Sequence, residues 1–118
     1  MSEAAPRIPD YLNHILEAIS RIHDYTKDFD EASFLGARMI QDAVIRNFEI
    51  IGEASRSIER ESAEFVRSHP TVPWALIYAM RNRFPHGYFK VELTIVWRTI
   101  RNDLPSLDNK IRNIRDSL

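Results

Sequence analysis

With 118 residues, of which 44% are hydrophobic and 28% charged, the chain has room for one domain with a buried core and little room for two. It has no cysteine, which excludes disulfides and thiolate metal sites and fits a reducing, cytoplasmic setting. The net charge of −1 is unevenly spread: residues 1–59 hold 6 basic and 11 acidic side chains, whereas residues 60–118 hold 10 and 6. A basic second half suits an anionic partner, and it also suits ordinary helix-surface scatter; charge alone does not choose. Residues 1–9, MSEAAPRIP, lack the apolar core of a secretion signal and are expected, through residue 8, to form a flexible N-terminus. No apolar run approaches the ~20 residues that span a bilayer, so no membrane association is expected.

Helical periodicity runs along the chain. Leu12, Ile15, Ile19 and Ile22 recur at spacings of three and four, with Leu16 and Tyr25 widening the stripe, and Pro9 and Asp10 mark the start. A break is expected at Lys27–Asp30, with Asp30 capping a segment that begins at Glu31. A long helix is predicted from Ser33 to Glu59, its stripe built from Ile40, Val44, Phe48, Ile51, Ala54 and Ile58. Gly52 interrupts that helix at a cost of ~1 kcal/mol relative to alanine, which close approach of a neighbouring helix or subunit would justify. Residues 59–69 read as a short helix, and Pro70 and Pro73 bracket a loop.

A helix opening at Pro73 carries Trp74, Ile77, Met80 and Phe84, and Pro85 and Gly87 end it. Another starts near Val91–Glu92 with Leu93, Val96, Trp97, Ile100 and Leu104 inward. Pro105 should stop it, and Ser106 should cap a last helix with Leu107, Ile111, Ile114 and Leu118. With only three glycines and no sustained strand alternation, the expectation is one all-α domain, a bundle of about five helices.

The stretch RNRFPHGYF, residues 81–89, gathers reactive groups where a helix should fail. In a regular helix Asn82 and His86 share a face, whereas Arg81 and His86 lie about 140° apart. Pro85 cannot donate to the carbonyl of Arg81 and pushes Phe84 out of the α region, so the turn loosens and the imidazole is free to move toward the guanidinium. Arginine offers a planar fork to phosphate oxygens, and histidine moves a proton near neutral pH. Together they suit attack of a ribose 2′-hydroxyl on the adjacent phosphate, with Asn82 orienting the imidazole or the substrate. A cationic helix end capping its own carbonyls accounts for the same residues without any chemistry.

Arg83, Lys90, Arg98 and Arg101 suit an RNA backbone or plain solvent. Trp74 and Trp97 sit on apolar stripes and read as core. His14, His23 and His69 have no ligand-like spacing. Glu53, among Ile50, Ile51 and Ala54, either meets an arginine or faces solvent.

MRNRFPHGYFKVELTIVWRTIRNDLP, residues 80–105, resembles the signature region of HepT-like toxins of the HEPN superfamily, and RNFEIIGEASRSI, residues 46–58, resembles a second stretch of the same family. The likeness extends over nearly the whole chain from Pro9. The HEPN motif is an arginine, commonly followed by a polar residue, with a histidine four to six residues on; here these are Arg81, Asn82 and His86, and the HepT tyrosine two residues later is Tyr88. Pro85 departs from the family's pattern. The resemblance implies a single HEPN domain over residues 1–118, a helical bundle that forms a homodimer, and a metal-independent endoribonuclease site of Arg81 and His86 at the dimer cleft. It also implies a toxin–antitoxin pair acting on RNA such as tRNA or mRNA, in which an MNT-type nucleotidyltransferase antitoxin transfers AMP to Tyr88; no cofactor is implied. Since Pro85 alters how His86 is presented, a non-catalytic HEPN domain that binds a nucleotidyltransferase or a nucleotide is the alternative reading.

Overall fold

The computed structural model describes residues 7–83 and 90–118, with side chains up to residue 79 and from residue 93 onward. All elements among them are helical: α1 (Arg7–Thr26), α2 (Glu31–Leu35), α3 (Arg38–Glu61), α4 (Ala63–Ser68), α5 (Trp74–Arg83), α6 (Lys90–Arg98), a π-helical turn (Thr99–Asp103) and α7 (Leu104–Ser117). α1 packs most extensively on α3, α3 on α5, and α7 returns to cover α1.

The core is the set of stripes that the periodicity picked out. Leu12, Ile15 and Ile22 of α1, Val44, Phe48, Ile51 and Ile58 of α3, and Ile77 of α5 have no exposed surface. Trp74 and Trp97 are both buried, as their stripes required. Other stripe residues fare differently: Tyr25, Ile40 and Leu93 are half-buried, the Met80 side chain and Phe84 lie outside the described residues, and Leu118, past the end of α7, is 64% exposed. Gly52 is buried within an α3 that runs unbroken against α1 and α5.

Several boundaries differ from the sequence expectation for identifiable reasons. α1 begins at Arg7, inside the stretch expected to be flexible. Pro9 is harmless there, because first-turn N–H groups have no intrahelical acceptor. The predicted helix from Ser33 to Glu59 is two helices. Asp30 does cap the first, its carboxylate accepting from the Ser33 N–H at 2.9 Å while the Ser33 hydroxyl accepts from the Asp30 N–H at 3.0 Å. The helix then breaks at Gly36 and Ala37. Ten residues separate Phe34 from Val44, so one continuous helix would turn Phe34 about 80° off the buried stripe. The break lets Phe34 reach full burial and meet the Trp97 ring at 5.1 Å. Residues 59–61 belong to α3, and α4 starts only after Ser62, whose hydroxyl accepts from the Phe65 N–H at 3.1 Å.

Pro105 does not stop the helix that opens at Lys90. α6, the π turn and α7 follow one another with no non-helical residue between them, and Ser106 caps nothing. Pro105 has no N–H and crowds the preceding turn of a regular helix. The π turn absorbs this by inserting a residue: Leu104 N–H reaches back to the Thr99 carbonyl, five residues earlier. Thr99 and Ile100 are buried on this widened turn. Arg101 projects from it, its guanidinium 4.5 Å from the Trp97 ring and donating to the Phe29 carbonyl at 2.7 Å. That contact ties the α1–α2 loop to the π turn.

Candidate functional site

The segment that carries the predicted chemistry hangs between two well-anchored helices. The Trp74 indole N–H donates to the His69 carbonyl at 3.0 Å, and Val72 N–H donates to the same oxygen at 3.2 Å. His69 Nδ1 lies 2.8 Å from the Phe65 carbonyl with its ring stacked on Phe65. The Pro73 carbonyl accepts from Ile77 N–H at 3.1 Å, so Pro73 caps α5 rather than sitting inside its first turn. The start of α5 is thus fixed, and its register places Arg81, Asn82 and Arg83 on the last turn. On the other side, Lys90 is the first residue of α6, one residue ahead of the expected start. The buried Val96 and Trp97 hold α6 in place.

His86 and Tyr88 lie outside the described residues, as do the side chains of Arg81, Asn82, Arg83 and Lys90. The backbone still constrains them. Seven Cα steps join Arg83 to Lys90, a reach of at most about 25 Å. α5 and α6 thus directly flank residues 84–89.

Tyr78 lies one turn before Arg81 and Asn82 on α5, at the spacing that shares a helix face. Its hydroxyl is buried and makes no hydrogen bond of good geometry among the described residues, although the Glu59 carboxylate is near enough to accept from it weakly. Burial, followed by the Glu59 carboxylate, raises its pKa above the usual value, while Arg56, 5.6 Å from the ring, works in the opposite direction. This α3–α5 cluster escaped the sequence reading. Its only signal was the spacing of Tyr78 to Arg81, which an apolar-stripe search passes over. Asn47, also unremarked in the sequence, is buried on α3; its amide donates to the Ala43 carbonyl at 2.9 Å and its Oδ1 has no partner among the described residues. Glu53 is exposed on α3. Arg98 is exposed, whereas Arg101 has a definite structural role.

A family model described as Ribonuclease HepT-like matches residues 15–114, which takes in α1 through α7 and the whole connection between α5 and α6. The chain belongs to the HepT-like family. A Thermococcus cleftensis protein named "Probable ribonuclease HepT" is 42% identical over 106 residues, covering 90% of this chain and 94% of that one. A Caldanaerobacter subterraneus protein named "Putative RNase" is 34% identical over 88% of this chain and 90% of its own. A Methanocaldococcus jannaschii protein named for gamma-glutamylcyclotransferase and RNase is 41% identical over 92% of this chain, which spans 47% of its length. No solved structure matches the chain. Within the described residues of this HepT-like chain, no helix is long and apolar enough to cross a membrane.

Proposed function

We propose that the chain is an endoribonuclease whose catalytic residues are Arg81 and His86. The observation that carries this reading is the HepT-like match over residues 15–114, which includes those positions. The reading is also supported by the position of the motif at the junction of two helices, with Arg81 on the last turn of α5 and Lys90 opening α6. In this mechanism His86 takes the proton of a ribose 2′-hydroxyl, whose oxygen attacks the neighbouring phosphorus. The bond from phosphorus to the 5′-oxygen breaks, and the departing oxygen takes a proton from the histidine of a second copy. The products are a 2′,3′-cyclic phosphate and a 5′-hydroxyl. Arg81 holds the charge that builds on the non-bridging oxygens. Neither role calls for a metal ion. Asn82 orients the imidazole or the substrate, and Arg83 and Lys90 hold flanking phosphates.

Two histidines per reaction call for a homodimer, in which each copy supplies its Arg81 and His86 to a shared cleft. The partner in the cell is a nucleotidyltransferase antitoxin of the MNT type, which transfers AMP to the Tyr88 hydroxyl. An added phosphodiester brings bulk and negative charge to a site built for RNA phosphate.

Incubating unmodified protein with total tRNA in EDTA should give cleavage, and Arg81→Ala and His86→Ala should each lower the rate by at least about 100-fold while the dimer persists. RNA left intact by the unmodified wild type would refute the nuclease and favour a binding role. After co-expression with a nucleotidyltransferase, intact mass should rise in AMP increments that vanish in Tyr88→Phe. Increments that persist in that variant would place the modification elsewhere.

A further inference from the structure

A cavity of about 430 Å³ opens between α1, the π turn and the first half of α7, and neither Arg81 nor Lys90 lines it. Its size falls within the range of small-ligand sites, ~300–1,000 Å³. Its floor is apolar, formed by Ile19, Ile100, Leu104 and Pro105. Its polar wall carries His23, Arg101, Asp108 and Arg112. Asp108 engages Arg112 through both carboxylate oxygens, each at 3.2 Å, and so holds that guanidinium in place. Arg101 uses one nitrogen on the Phe29 carbonyl and lies against Trp97, which fixes its plane while leaving other N–H donors unspent. The result is an apolar slot walled by two guanidinium groups, both held by the protein itself, against a single carboxylate.

The π turn builds this slot. Inserting one residue brings Ile100 and Arg101 to the cavity, and Pro105, the reason for the insertion, forms part of its floor. We infer that the cavity is a subsite for one nucleoside phosphate unit: the base lies on the apolar floor and the phosphate meets Arg101 and Arg112. A planar guanidinium grips phosphate oxygens in pairs. Asp108 is placed to accept from a base amino group or a ribose hydroxyl. Arg101 lies about 16 Å along the α6–α7 rod from Lys90, eleven residues at helical rise. The preferred source is therefore an RNA strand that also passes Lys90 at the start of α6. This rests on the ribonuclease reading for the source of the ligand, and on the cavity alone for its chemistry.

The test uses the ¹⁵N-labelled full-length protein, observed through its arginine side-chain signals. Three probes are titrated: an eight-nucleotide 2′-O-methyl RNA, which cannot be cut, free AMP, and inorganic phosphate. The RNA should shift Arg101 and Arg112, and its affinity should fall about tenfold in Arg112→Gln, the size of one lost charge-assisted contact. Ser20→Leu, placed at the cavity wall and leaving both arginines intact, should weaken the RNA to a similar extent by occlusion. Shifts with AMP but not with RNA would support the same chemistry with a free nucleotide as its source. Inorganic phosphate shifting the arginines as strongly as AMP would overturn the role of the floor. No shift with any probe would overturn the subsite, whether or not the protein cleaves tRNA; a protein that cleaves nothing but shows the AMP shifts would overturn the nuclease alone.

Discussion

Replacing Phe34 with alanine tests how α2 is held. Phe34 is the one buried residue of this five-residue helix, with no exposed surface, and its ring lies 5.1 Å from that of Trp97 on α6. So short a helix has almost no stability of its own. Its attachment therefore rests on this side chain, its cap and the Gln41 amide donating to the Phe34 carbonyl at 2.9 Å. Truncating a buried phenylalanine costs about 3–5 kcal/mol. A 118-residue domain has about 6–18 kcal/mol in all, so the variant should fold with its reserve sharply reduced. Urea unfolding followed by tryptophan fluorescence and far-UV circular dichroism, at fixed protomer concentration, should show a lower midpoint with an unchanged slope. Phe34→Leu keeps most of the buried area but loses the ring pair, and should cost about 1–2 kcal/mol. A loss under about 2 kcal/mol in the alanine variant would refute the reasoning. It would mean that α2 opens independently of the bundle and that the Phe34–Trp97 contact does not couple them.

Other expectations rest on single contacts. Arg101→Met keeps the aliphatic stem over Trp97 but removes the bond to the Phe29 carbonyl; an exposed charge-assisted bond of this kind is worth about 1 kcal/mol, read as a drop in the urea midpoint, and no drop would show the α1–α2 loop to be held by other means. Tyr78→Phe removes a buried hydroxyl that has only a weak acceptor in the Glu59 carboxylate, so neutral-pH stability should change by less than about 1 kcal/mol, and a larger loss would reveal a stronger partner. The same variant has a pH signature. The folded pKa of Tyr78 is raised, so its contribution is fully present below the unfolded value near 10 and is lost as pH climbs from there through the folded value. Stability of the wild type should therefore decline over that alkaline range more steeply than that of Tyr78→Phe, and parallel curves would contradict the burial of the hydroxyl.

Much of the fold was legible in the sequence because helical burial repeats locally. Leu12, Ile15, Ile19 and Ile22, or Leu107, Ile111 and Ile114, name their own inward face, and the structure buries each of them. The Asp30 cap was legible for the same reason, since both of its partners lie within three residues. The motif from Arg81 to Tyr88 was legible as family, and the HepT-like match covers it. Side-chain geometry there lies outside the described residues, so the roles of those positions stand as proposals.

What the sequence did not disclose depends on contacts between distant parts of the chain. Gly36 and Pro105 each carry a local preference for breaking a helix. At Gly36 the break is realised, because Phe34 has a pocket beside Trp97 that a continuous helix could not reach. At Pro105 it is absorbed into a π turn, because Ile100, Leu104 and Leu107 are all buried in the one core and a full break would misdirect some of them. The same holds for polar groups. Arg101 reads as one more surface cation until Phe29, seventy-two residues earlier, supplies its acceptor. Tyr78 reads as a stripe neighbour until Glu59 and Arg56 of another helix close around it. Periodicity fixed which faces turn inward, since that depends on residue spacing within one helix. Which breaks survive, and which charges find partners, was decided by tertiary packing, where the energy of burying a distant side chain outweighs a local preference of about 1 kcal/mol.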